Sequence, residues 1–279
     1  MQSFKPTRLY NLRADANALG GLLREPVGKI IPTLSPVSLP SAGGFALART
    51  EEFTFEEIVS CSAAYTRVSS EEQASDGTTS ILVTSVVENL NILEVFSATR
   101  IVAQLTITIP RDGPPIGVST IGSVYEGVRL AGYPCTLKLN QGLRQPQPTS
   151  GGRSRSLAWA DVFEAGRTQA QALLNVFEGR SSNEADAYEW AQKRHGWMTA
   201  ESKSSGGALC SLIDGLETTA PVRCSGHIVE VPHFGRIILG ELYVSPDSAH
   251  LVGVRAELGC AIGGAITAAC GGGGGLGDN

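Results

Sequence analysis

From Arg100 to Ile109 the chain alternates between apolar and polar positions. Ile101, Ala103, Leu105, Ile107 and Ile109 share one phase, Arg100, Gln104, Thr106 and Thr108 the other, and only Val102 breaks the polar set. A period of two predicts a strand with one face in a core and one in water. Pro110 and then Asp112-Gly113 end it, because proline cannot donate to a ladder and Asp-Gly favours a turn. The same period returns late in the chain, where Val252, Val254, Ala256 and Leu258 alternate with Gly253, Arg255 and Glu257. The run RIILGELYV precedes them across a turn built on SPDS, which predicts a hairpin.

Two segments echo each other: SVVENLNIL at 85–93 and SVYEGVRLA at 123–131. Val86, Leu90 and Ile92 share a phase in the first, Val124, Val128 and Leu130 in the second, and Glu88 and Glu126 fall in that apolar phase. A carboxylate cannot enter a core unpaired without a large desolvation cost, so the chain is expected to change course at each Glu. The residues that follow, Asn89 and Gly127, are of the types that best tolerate positive φ, which predicts a β-bulge or tight turn at both places. The functional alternative is a carboxylate pair for acid–base chemistry, which requires Glu88 and Glu126 to face one another across a cleft.

Between these β regions the period lengthens. Trp159, Val162, Phe163, Ala170, Leu173, Leu174 and Phe177 mark one face of a helix, with Ser156 placed to cap its start and Gly179 to end it. A second, shorter helix is expected from SSNEADAYEWAQKRH to Gly196, with Ser181 and Glu184 at capping-box spacing. Tyr188, Trp190 and Trp197 read as packing anchors. The alternative for Trp159, Trp190 and Trp197 is a stacking surface for a carbohydrate or another ligand.

These patterns divide the chain. Residues 1–44 carry Pro6, Pro26, Pro32, Pro36 and Pro40 with little periodicity and read as a proline-rich extended arm. Residues 45–142 form the first part of a β domain, 143–205 a polar linker with the helical insertion, and 206–270 the second part. Residues 271–279 hold five consecutive glycines, which have no side chains to pack and are expected to be a mobile tail.

Composition narrows the function classes. Charged residues are 18% of the 279, the net charge is −5, and the densest basic spot is Arg153 and Arg155, so nothing offers the clustered cations that nucleic acid or an anionic membrane rewards. No apolar run reaches the roughly 18 residues of a membrane span, and the N-terminal residues lack the apolar stretch of a secretory signal. The chain is therefore expected to be cytoplasmic, processed, or exported by another route. Six scattered cysteines contain no C-x-x-C, which argues against zinc and for buried thiols, Cys210 and Cys224 being the pair to test first for a disulfide. His227 and His233 flank IVEVP and would share a strand face but for Pro232, with Glu230 on the opposite parity, so a metal site there would need a local kink. No nucleophile elbow, phosphate-binding loop or metalloprotease motif occurs, and the glycine tail neither follows a nucleotide-binding strand nor opens a helix. No catalytic residue, cofactor or metal is expected.

SVVENLNILEVFSATRIVAQLTI, followed by STIGSVYEGVRLAGYP and later by GHIVEVPHFGRIILGELYV, resembles the repetitive β-domains of bacterial choice-of-anchor surface proteins. Ser97, Ala98 and Ala103 match one strand of that pattern, and Gly127, Val128, Leu130 and Gly132 the next. The resemblance covers about half the chain, implies a β-repeat architecture and carries no catalytic residues. Taken together, the sequence predicts a mainly β fold, a β-sandwich or stacked β-repeat body with a short helical insertion. The expected function is that of a non-enzymatic structural protein acting through self-association. The alternatives are a ligand-binding β module and a hydrolase with dispersed residues, for which Glu88, Glu126 and His227 would be the first substitutions.

Overall fold

The computed structural model describes residues 10–26, 28–40, 42–144, 147–148, 154–182, 184–199, 206–259 and 262–277. Strands take up 59% of the described residues and helices 16%, so the fold is mainly β. The chain opens with β1 (Tyr10–Glu25), β2 (Lys29–Leu34) and β3 (Val37–Ser38). It continues with β4 (Phe45–Thr50), β5 (Phe53–Phe55), β6 (Val59–Cys61), β7 (Ala63–Glu72), β8 (Thr79–Ile92) and β9 (Phe96–Ile109). Shorter pieces follow: β10 (Gly117–Ser119), β11 (Val124–Glu126), β12 (Arg129–Leu130), β13 (Tyr133–Leu139), α1 (Gln141–Arg144), β14 (Gln147–Pro148), β15 (Ser154–Arg155) and β16 (Leu157–Ala158). Two helices, α2 (Trp159–Glu178) and α3 (Ala185–Thr199), precede β17 (Ala208–Ser211), β18 (Ile213–Thr218), β19 (Arg223–Ser225) and β20 (Ile228–Val231). The chain closes with β21 (Gly235–Val244), β22 (Ser248–Gly259) and β23 (Gly263–Gly277).

Two antiparallel sheets face each other as a sandwich. The first runs β19-β20-β21-β22-β23-β1-β2, with β17 on β21 and β3 on β1. The second is built on β4-β7-β8-β9, with β10, β11 and β12 along β9, and it continues through β13 to β18. One hydrophobic core lies between them, joining Leu19, Val83, Leu105, Val254 and Ile266, among others. The alternation read in β9 places Ile101, Ala103, Leu105, Ile107 and Ile109 in that core. In β22 it holds for Val254, Ala256 and Leu258, but the skipped rung at Gly253 shifts the phase, so that Ala249 and Leu251 rather than Val252 join the core before it. Residues 45–142 and 206–270 are not two layers, because β18 pairs with β13 in the second sheet while β17 and β19–β22 build the first.

The ends of the chain correct the expectation of an arm and a mobile tail. β1 is an inner strand, paired with β23 from Tyr10↔Gly277 to Glu25↔Gly263 and with β2 on its other side. The prolines that suggested an arm sit where proline is tolerated: Pro26 just after β1, Pro32 in the edge strand β2, and Pro36 and Pro40 in connections; Pro6 lies outside the described residues. Gly271–Gly277 belong to β23, between β1 and β22. A Cβ on Gly271 would stand 2.4 Å from Val83 Cγ1 in the facing sheet, and one on Gly274 would stand 2.1 Å from the Asp247 carbonyl oxygen. The run is glycine because neighbouring backbone and the opposite sheet come closer than any side chain permits.

Each sheet is creased across its strands. In the first, pairing skips one rung while keeping register, passing over Gly240, Gly253, Ala269 and Ala18 on adjacent strands, and Gly240 (φ 64°) and Ala269 (φ 54°) have positive φ. Such a residue turns its peptide planes out of the ladder, which frees carbonyls that must find other donors in a dry interior. Hydroxyls supply them. Ser211 Oγ donates to the Leu239 carbonyl (2.7 Å), Tyr125 to that of Gly253 (3.1 Å) and Ser85 to that of Asn17 (2.9 Å).

α2 and α3 cover the outer face of the first sheet over β17, β20 and β21, where Leu173, Leu174, Phe177, Ala187, Ala191, Ile228 and Ile238 form a second cluster. Ser156 does not cap α2 but shares a hydrogen bond with Thr108; Asp161 accepts from the Ala158 amide instead. α3 passes through Gly196 to Thr199, and Ser181 bonds back to the Glu178 carbonyl.

Candidate functional site

Asn89, in β8, and Gly127, in the break between β11 and β12, lie on opposite sides of β9, and both have positive φ (49° and 60°). They stand beside the same residue, Thr99. Pairing of β8 with β9 runs from Glu88↔Arg100 to Leu90↔Ala98 across an unpaired Asn89 and Thr99, and a Cβ on Gly127 would lie 2.1 Å from Thr99 Oγ1. On the far side Asn89 Nδ2 donates to Ser62 Oγ (2.9 Å), which carries this second crease on to the next strand. The crease turns Glu88 and Glu126 to either side of Arg100, opposite which both are registered. The carboxylates are thus divided by a cation, and Arg100 Nη2 reaches Tyr65 Oη at 3.3 Å. A shallow hollow of about 350 Å³ lies over the crease, lined by Asn89, Asn91, Glu94, Thr99, Gly127 and Arg129 among others.

The three tryptophans are not brought together. Trp159 stacks on Phe163 at the start of α2, with ring centroids 5.3 Å apart. Trp190 packs in α3 against Phe177 (6.0 Å), and the Arg236 and Arg194 guanidiniums sit 4.4 and 5.9 Å from its ring centre. Trp197 is 40% exposed and donates its indole N–H to the Arg194 carbonyl. A ligand seeking a stacking platform therefore finds one exposed indole, not three.

The densest polar chemistry lies where the helices meet the first sheet. Glu241 of β21 is buried and accepts from Arg194 Nε (3.1 Å) on α3 and from Arg255 Nε (3.1 Å) on β22. Burial alone would raise its carboxyl, but the guanidiniums outweigh that and hold it below its ordinary value. Beside it the rings of His195 and His227 meet edge to face at 6.0 Å, both buried. Burial, then His227 and Arg194, brings His195 down to about 3; burial also brings His227 down to about 4. Both rings are neutral at physiological pH. Glu230 is ion-paired with Arg180 (3.0 Å) and Arg236 (3.5 Å). The charges in this cluster are spent on one another, fastening α2 and α3 to the sheet. His233 lies apart from His227 in the turn after β20, with φ 60°.

The thiols are likewise dispersed. Cys61, Cys135, Cys210, Cys224 and Cys270 are free, and Cys210 on β17 donates to the Leu242 carbonyl rather than joining Cys224 on β19; Cys260 lies outside the described residues. Among the described residues no three His, Cys, Asp or Glu are grouped to hold a metal, and no helix is long and apolar enough to cross a membrane.

One edge stands apart. Among the described residues β4 pairs with β7 on one side only, and Ser70 N donates to the Gly44 carbonyl (2.9 Å) at the head of that ladder. Antiparallel pairing alternates, so Ala46, Ala48 and Thr50 also bond inward, and the N–H and C=O groups of Phe45, Leu47 and Arg49 point away from β7. Their side chains are exposed too, Phe45 and Leu47 at 57% each.

The profile of a family described as a domain of unknown function (DUF8256) matches residues 10–245. The chain belongs to this family. No curated protein and no solved structure matches it. The DUF8256 match ends at Ser245, yet β22 and β23 follow it and lie between β21 and β1. Without them two matched strands of the first sheet would have no partner between them.

No local sequence pattern marks β4 or the Glu241 cluster. FALART opens on four consecutive apolar residues, and six residues carry no sign of whether a strand is central or at an edge. His195, His227 and Glu241 are far apart in sequence and meet only because α3 lies on β21.

Proposed function

We propose that this DUF8256 chain is a non-catalytic structural protein that works by self-association, adding further copies at its open sheet edges. The observation that carries this reading is where its surface apolar residues lie. The three most exposed large ones among the described residues are Ile30 (73%) on the edge strand β2, and Phe45 and Leu47 on the edge strand β4. Edge strands are commonly guarded by charge, because an unpaired backbone invites another strand. The one charge on β4, Arg49, is taken by Glu51 at 2.9 Å. The ion-paired carboxylates point the same way, since Glu230 and Glu241 are engaged in holding helices to the sheet. So does the resemblance to repetitive surface-protein β-domains.

Sedimentation velocity from micromolar to near-millimolar concentration tests the reading. Growth into dimers or larger species supports it. A single monomeric species throughout overturns it.

A further inference from the structure

We infer that β4 pairs with β4 of a second copy of this chain, antiparallel about a two-fold axis at Leu47, to join two second sheets into one. The inference rests on the self-association reading and adds the surface, the register and the symmetry.

The backbone decides the register. Within β4 the outward groups belong to Phe45, Leu47 and Arg49, three N–H and three C=O on each strand. Among the described residues β3 packs near β4, but no hydrogen bond joins it to these groups. Two copies related by a two-fold axis bring outward residues opposite outward residues only in registers that differ by steps of two. With Leu47 opposite Leu47, Phe45 faces the partner copy's Arg49 and Arg49 its Phe45, so every outward group within both strands is bonded. Sliding by one step in either direction leaves one residue of the three on each strand facing a position beyond the strand, and a slide centred on Arg49 opposes like charges.

The side chains agree with the backbone. Leu47 meets Leu47 on the axis, and each Arg49 guanidinium lies across from an exposed Phe45 ring. That ring is already a cation acceptor within the chain, with the Arg67 guanidinium 5.1 Å from its centre. The hollow of about 570 Å³ beside it, lined by Phe45, Arg67, Ser69, Ser80 and Leu82 among others, leaves open space next to the Phe45 ring. An isologous contact of this kind closes as a dimer, which keeps an apolar edge from propagating into fibres.

Cysteine scanning tests this. Cys135 and Cys224, the half-exposed thiols among the described residues, and Cys260 are first changed to serine, and that background serves as the control. A hydrogen-bonded antiparallel pair has Cα atoms about 5.5 Å apart, within disulfide reach. Under mild oxidation L47C is therefore expected to give a covalent dimer, whereas A48C, which faces the partner copy's Ala46, is not. In the unmodified background L47K, at an exposed site, is expected to keep the fold by circular dichroism and to raise the dimer dissociation constant by about tenfold or more. If association persists in L47K and L47C forms no more crosslink than the control, the β4 pairing is wrong while self-association stands. If the chain is monomeric at every concentration, both are wrong.

Discussion

The Tyr125 hydroxyl, on the inner face of one sheet, donates to the Gly253 carbonyl of the other at 3.1 Å, where the rung between β22 and β23 is missing. Burial pushes the phenol well above its ordinary pKa, so it remains a donor at physiological pH. Tyr125→Phe keeps the ring and orphans the carbonyl. It is expected to cost about 1–3 kcal/mol in denaturant unfolding, the penalty of a buried unsatisfied acceptor. A loss of less than a few tenths would mean that the crease does not depend on the facing sheet.

Gly127→Ala is expected to destabilise by about 1–3 kcal/mol, combining the positive φ with contact against Thr99. Thr99→Ala in the same chain removes the Oγ1 that the new Cβ would strike, so the double variant is expected to regain part of the loss. Strict additivity of the two substitutions would show that they do not share the crease.

The glycine run offers a sharper contrast. A mobile tail would tolerate Gly274→Ala without effect. Placed between β1 and β22, the new Cβ meets the Asp247 carbonyl oxygen, and a loss of about 2 kcal/mol or more is expected from backbone displacement in a packed sheet. Thermal unfolding of this variant beside the parent decides it.

Acid should loosen the helical layer. His195 and His227 have folded pKa values of about 3 and 4, below the ordinary 6.5. The unfolded chain therefore binds protons that the folded chain refuses, and the contribution is complete above pH 6.5 and lost as pH falls toward 4 and then 3. Each histidine is expected to add about 1.4 kcal/mol per pH unit of slope in that window. Denaturation midpoints at pH 7, 6 and 5 check this, and His227→Gln should flatten the dependence even if it lowers stability throughout. An unchanged slope would place the titrating groups elsewhere.

What was legible in the sequence was whatever one-sided burial imprints on composition. β9, and β22 beyond Gly253, alternate because one face meets the core, and α2 shows its stripe because Val162, Ala170, Leu173, Leu174 and Phe177 face the sheet. SVVENLNIL and SVYEGVRLA read alike because they flank the same strand, Asn89 and Gly127 both lying beside Thr99. β1 and β23 were hidden for the opposite reason. Proline near an edge strand has the same letters as proline in an arm, and glycine is chosen both where nothing packs and where everything packs too closely. The Glu241 cluster and the β4 edge depend on which elements are neighbours, and local pattern does not encode that.

Amide exchange along β4, followed at low and high protein concentration, tests the central claim most directly. Ala46, Ala48 and Thr50, bonded to β7, are expected to be protected at both concentrations, whereas Phe45, Leu47 and Arg49 exchange fast when dilute and slow as copies pair. Equal, fast exchange of these three at every concentration would contradict assembly through this edge.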